Sequence, residues 1–157
     1  MTANIESASQ DQRPWVWISA PGPFTIKVGE EISLNISIIN YGKTPAKARM
    51  LTGLSIDWEI DSKSIKAMQQ ITLPAFDVIL APGEVTKPIY TTAIRKGKPL
   101  DQEEYNRIIS GGLFIVAAGR IGYTDLRGNA YESAFCVYRI SATAVANCPA
   151  PELNYMK

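Results

Sequence analysis

The stretch Gly119-Arg-Ile-Gly-Tyr-Thr-Asp-Leu-Arg-Gly-Asn-Ala-Tyr-Glu-Ser-Ala-Phe-Cys136 decides the fold. It consists of two strand-forming runs joined by a tight turn. Asp125 suits the first position of a type I turn, and Gly128 suits the left-handed residue that follows. Together they predict a hairpin with a one-residue bulge. Counting outward from the turn sets Tyr123 opposite Tyr131, a cross-strand aromatic pair that pins register. An antiparallel pair of strands therefore closes the domain.

The same period of two runs upstream. Ile32, Leu34, Ile36 and Ile38 alternate with Ser33, Asn35 and Ser37, which predicts one buried and one wet face over residues 31–40. Residues 15–19 and 24–28 read as short strands split by Pro21-Gly22-Pro23, a punctuation that suits an edge strand changing sheets. Asn40-Tyr-Gly-Lys-Thr-Pro-Ala46 turns the chain, with Gly42 expected to supply a positive φ and Pro45 holding Thr44 extended. Residues 46–51 and 54–60 form either one strand broken at Gly53 or two short ones.

Residues 62–70 suit a loop or a helical turn equally. Strands follow within 71–80 and over 85–94, where Pro88 argues for an edge. Residues 101–109 predict a helix. Asp101 caps it with Glu104 three residues later, Gly111 ends it, and Tyr105, Ile108 and Ile109 form its apolar stripe. The pattern is all-β, an antiparallel β-sandwich of about seven to nine strands with one short crossover helix. Residues 1–13 are expected to be a disordered stalk, 14–148 the sandwich and 149–157 a tail.

Composition limits the chemistry. The 157 residues suit one domain, with 46% hydrophobic and 20% charged residues. The formal net charge of +1 gives no reason to expect nucleic acid or an anionic membrane as partner. Histidine is absent. That removes the Ser-His-Asp and Cys-His nucleophile arrangements, the usual base near neutral pH and nearly every familiar zinc site. No catalysis, no metal and no cofactor are expected. No run approaches the roughly 20 apolar residues of a membrane span. The polar start, without a basic or apolar leader region, does not read as a signal peptide, so the protein stays in the cytoplasm or its targeting segment lies outside this sequence.

Cys136 and Cys148 are the two cysteines. A disulfide between them would close a short loop, worth roughly 3 kcal/mol in the chain-entropy model, and would imply an oxidising compartment. The alternative is two unpaired thiols, one in the sheet and one in the tail.

Arg13-Pro14-Trp15-Val16, the Asn40–Ala46 turn, Gly119-Arg-Ile-Gly-Tyr-Thr-Asp125 and Phe135-Cys136 together resemble a group of uncharacterised bacterial exported proteins. Those carry an N-terminal membrane helix, an Asn-x-Gly-x-Thr-Pro-Ala turn and a closing hairpin with Tyr-Thr-Asp and Phe-Cys. The resemblance spans roughly residues 13 to 148. It implies an immunoglobulin-like sandwich outside the cytoplasmic membrane, anchored by a tether absent from this chain, with no assigned activity. Trp58 would then stand where such domains often bury a tryptophan.

Several groups could bind a ligand or partner. Tyr123, Asp125, Arg127 and Tyr131 decorate the hairpin tip, where loops on a rigid scaffold often bind; the blander role is a turn clasp. Trp15 and Trp17 share one strand face and could stack a sugar or a partner chain, or simply pack. Asp57, Glu59 and Asp61 recur at roughly 7 Å on one strand face, a spacing that fits calcium less well than a solvated surface. Arg95-Lys96-Gly97-Lys98 precedes the helix, yet Asp101 already places negative charge at that helix end. The expected function is a non-catalytic, extracytoplasmic, protein-binding or structural module, with a carbohydrate- or calcium-binding accessory domain as the alternative.

Overall fold

A computed structural model describes residues 12–19, 24–57, 62–69, 76–87, 89–92 and 98–157. Its elements are β1 Val16–Ile18, β2 Ser33–Ile36, β3 Ile38–Asn40, β4 Ala46–Asp57, α1 Ser62–Gln69, β5 Phe76–Leu80, β6 Ile89–Thr92 and α2 Gln102–Ile109. There follow β7 Phe114–Thr124, β8 Ala130–Arg139, β9 Val145–Asn147, a 3₁₀ turn Pro151–Leu153 and β10 Tyr155–Met156.

Every described pairing is antiparallel, and the chain is an all-β sandwich. The larger sheet runs β5-β4-β7-β8, with β9 and β10 both laid along the outer edge of β8. In the smaller layer, β2 and β3 form one ribbon interrupted at Ser37. Ile39 pairs with Trp17 on one side and Val85 on the other. Ser33 does the same with Thr25 and Thr92. The ribbon is therefore central, and β1 and β6 flank it. The run at 24–28 contributes only a bridge at Thr25.

The period of two determines what the layers bury. Ile36 and Ile38 from the small layer meet Ala48, Met50, Ile115, Ile121 and Phe135 from the large one. Lys47 and Arg49, on the alternate positions of β4, are exposed. Burying each large apolar side chain contributes about 1.5–3 kcal/mol. Leu100 and Ile108 from the crossover complete this core.

The run from Leu113 to Ala118 is continuously apolar for a separate reason. Val116, Ala118 and Cys136 lie on the outer face, where Ile65 of α1, Cys148 and Leu153 cover them. A strand covered on both faces loses its polar alternation.

The predicted helix forms as α2. The Glu104 N–H donates to Asp101 Oδ1 at 2.8 Å, the capping box is complete, and Gly111 takes φ +79°. Ile108 points inward, whereas Ile109 is exposed and leaves the apolar stripe. Residues 62–69, open between loop and helix in the sequence, are helical as α1. Only Ile65 and Gln69 are buried among its described side chains. Gln69 Nε2 donates to the carbonyls of Phe135 and Leu153 at 3.0 and 3.1 Å, so a polar anchor joins Ile65 in holding the helix to the sheet.

Residues 149–157, expected as a tail, fold onto the large sheet and end in the strand Tyr155–Met156. Leu153 is fully buried, Asn154 Oδ1 accepts the Cys136 N–H at 2.9 Å, and Tyr155 pairs with Ala134. The segment covers the β8 edge that would otherwise present unpaired backbone. The Tyr155 hydroxyl donates to Glu132 Oε1 at 2.6 Å. Burial, then the Glu132 contact, pushes the phenol up to about 12. An acid whose folded pKa is raised keeps its stabilising contribution below the unfolded value, near 10, and loses it as pH climbs toward the folded value. Tyr155→Phe is therefore expected to flatten the fall in melting temperature between about pH 10 and pH 12.

Candidate functional site

Arg13 to Val16, the 41–45 turn and the tip of the closing hairpin meet at one end of the sandwich, and Asn40 joins the first two. Its side chain is fully buried and makes four hydrogen bonds. Oδ1 accepts from the Trp15 N–H at 3.2 Å and the Gly42 N–H at 2.9 Å. Nδ2 donates to the carbonyls of Thr44 at 2.7 Å and Leu80 at 3.2 Å. Its backbone adds two more: the N–H donates to the Glu84 carbonyl, and the carbonyl accepts from Gly83. The amide thus ties the entry to β1, the 41–45 turn and the end of β5, and the Asn40 backbone adds the 81–84 turn. A buried amide needs all of these partners.

Gly42 is required by proximity rather than by φ. The described glycines with positive φ are Gly29, Gly83, Gly111 and Gly128. A methyl at Gly42 would lie 2.5 Å from Pro14 Cα and from Trp15 N, and would overlap the Arg13 carbonyl as well. The N-terminal strand crosses directly over this glycine.

The hairpin closes as its turn chemistry dictates. Tyr123 pairs with Tyr131, and their rings stack with centroids 5.6 Å apart. The Gly128 N–H reaches the Asp125 carbonyl at 3.1 Å, with Gly128 at φ +86°. Asp125 Oδ1 accepts from the N–H groups of Arg127 and Asn129 at 2.8 and 2.9 Å. Its Oδ2 accepts from Asn129 Nδ2 at 2.8 Å and the Tyr131 hydroxyl at 3.3 Å. Both carboxylate oxygens are committed inside the turn.

Chiefly the Asn129 side-chain amide, against some desolvation and with help from the other donors, holds the Asp125 carboxyl below the usual carboxylate range. Such a depressed acid stabilises the fold above its unfolded value, near pH 4, and that contribution disappears as pH falls through the folded value. Asp125→Ala is expected to remove this part of the acid transition. The wild-type melting temperature should drop more steeply than the variant's from about pH 4 to pH 2.

Arg13 falls within the residues expected as stalk, yet its side chain joins the domain. Its guanidinium carbon lies 3.4 Å from the Trp15 ring centroid and 5.5 Å from that of Tyr131. The N-terminal strand is thereby fixed to the closing hairpin, and Ser133 Oγ donates to the Val16 carbonyl at 2.7 Å in support. The sequence carried a signal for this contact, since residues two apart on an extended chain share a face.

The other candidates separate. Trp17 packs against the main core, while Trp15 lies under Arg13. Tyr123 is buried, Tyr131 half-buried, and Arg127 exposed at the tip. Leu126 at the apex is 79% exposed and Tyr41 in the neighbouring turn 61%, among the exposed Lys43, Arg127 and Asn129. Trp58, Glu59, Asp61 and Arg95 to Gly97 lie outside the described residues, as does the side chain of Asp57. Among the described residues no group of three or more His, Cys, Asp or Glu could hold a metal ion, and no helix is long and apolar enough to cross a membrane.

Cys136 and Cys148 stand at disulfide-bonding distance with Cα atoms 5.4 Å apart. Both are buried beneath α1 and the C-terminal segment. No protein-family model matches the chain, and no curated protein or solved structure is significantly similar to it.

Proposed function

We propose that this chain is a non-catalytic, immunoglobulin-like module that works outside the cytoplasm. In the full-length protein it is membrane-anchored, as the proteins it resembles are, and it binds or spaces a protein partner. The Cys136–Cys148 pair carries this proposal. Its geometry suits a bond, and structural disulfides belong to oxidising compartments. The missing histidine and the internal engagement of Asp125 favour binding over catalysis. The carbohydrate or calcium alternative has less support. Trp17 packs against the core, and most of the acid row lies outside the described residues.

Thiol titration of unreduced, denatured protein exported to an oxidising compartment tests the proposal. No reactive thiol is expected, and reduction should lower the unfolding free energy by about 3 kcal/mol for a loop of this length. Two reactive thiols in the exported protein would sink the compartment argument.

A further inference from the structure

The Arg13 guanidinium lies on ring faces, without a carboxylate partner among the described residues. Its Nε is buried without a hydrogen-bond partner among the described residues, and Trp15 and Tyr131 supply the contacts at 3.4 and 5.5 Å. Tyr123 stacks behind Tyr131, and Asp125 reaches the Tyr131 hydroxyl at 3.3 Å. Aromatic faces with an anion close behind are what weakly hydrated organic cations bind. We propose that Trp15 and Tyr131, backed by Asp125, form a slot for an organic cation, a quaternary ammonium or a guanidinium, and that Arg13 is its internal occupant.

Three features make the slot exchangeable. The Trp15 main chain is held by its backbone N–H on Asn40 Oδ1, an anchor that does not involve the Arg13 side chain. Asp125 is fixed by four donors, one of them the Tyr131 hydroxyl, so it stays against that ring whatever occupies the slot. An arginine held by rings alone contributes little compared with a bidentate carboxylate pair, so a cation of equal chemistry can replace it. The slot does not depend on compartment or anchoring, and it stands or falls separately from the function proposed above.

The test uses isotope-labelled wild type and Arg13→Ala, followed at the Trp15 indole N–H. Choline, N-acetyl-arginine amide and the neutral carbon isostere of choline are titrated at constant ionic strength. The variant is expected to show saturable shifts with a cation at a midpoint about tenfold below that of wild type, and none with the neutral isostere. Tyr131→Leu in the same background, checked for retained fold by its methyl spectrum, should abolish the response. A lower midpoint for choline assigns a lipid-type head group, and a lower one for the arginine amide assigns a protein side chain. Equal midpoints in wild type and Arg13→Ala, no saturation in the variant, or an equal response to the neutral isostere overturns the proposal.

Discussion

Asn40→Ala is expected to lower the unfolding free energy by about 4 kcal/mol or more, a large share of the 5–15 kcal/mol typical of a domain. The magnitude comes from what truncation leaves behind. The N–H groups of Trp15 and Gly42 and the carbonyls of Thr44 and Leu80 all lose their partner. Each buried polar group without a partner costs about 1–3 kcal/mol. Asn40→Asp discriminates between loss of shape and loss of donors. It keeps the acceptor for two N–H groups and sets a carboxylate against two carbonyl oxygens. Urea unfolding of both variants measures the effect. A midpoint within error of wild type for Asn40→Ala would show that the amide ties nothing together.

The second large effect is expected at Gly42. Its missing side chain leaves room for the backbone of Pro14 and Trp15, which no rotamer change can move aside. Gly42→Ala therefore forces the N-terminal strand outward. That breaks the Trp15 N–H bond to Asn40 and the Tyr41 N–H bond to the Trp15 carbonyl, and pulls Arg13 off its rings. Overpacking and lost bonds together place the cost at about 3–5 kcal/mol. The φ at Gly42 lies outside the left-handed region, so a loss on this scale reports steric crowding rather than backbone conformation. Hydrogen exchange provides the local readout. The Ser19 and Tyr41 amides, which donate across β1 and β3 to the Ser37 and Trp15 carbonyls, should lose protection before those of β7, and uniform loss would contradict a local cause.

The sequence announced the local features and concealed the convergent ones. Hairpin register, helix cap and buried stripe of the central ribbon depend on near neighbours, so spacing alone sufficed for Tyr123 opposite Tyr131 and for Asp101 with Glu104. Asn40 reaches Leu80, forty residues away, and Gln69 reaches Leu153 at eighty-four, and no local pattern encodes such partners. Helix α1 escaped for the same reason, because its inward face is completed by a glutamine that a hydrophobic period cannot register. Gly42 misled differently. Glycine in a turn suggests a special φ, and only the chain crossing above it reveals the steric role. Within the candidate site, Trp15 and Tyr131 stood out by residue type, while Arg13 was masked by the polar segment before it.

The position of β1 has a mechanical consequence. Trp15 and Arg13 lie at the end of the sandwich formed by the turns, and β1 runs inward from there against β3, from Val16 opposite Asn40 to Ile18 opposite Ile38. Tension applied N-terminal to Arg13 and directed away from that end acts along the strand axis. It strains the β1–β3 hydrogen bonds and the Trp15–Asn40 bond in shear, all at once, instead of unzipping them in turn.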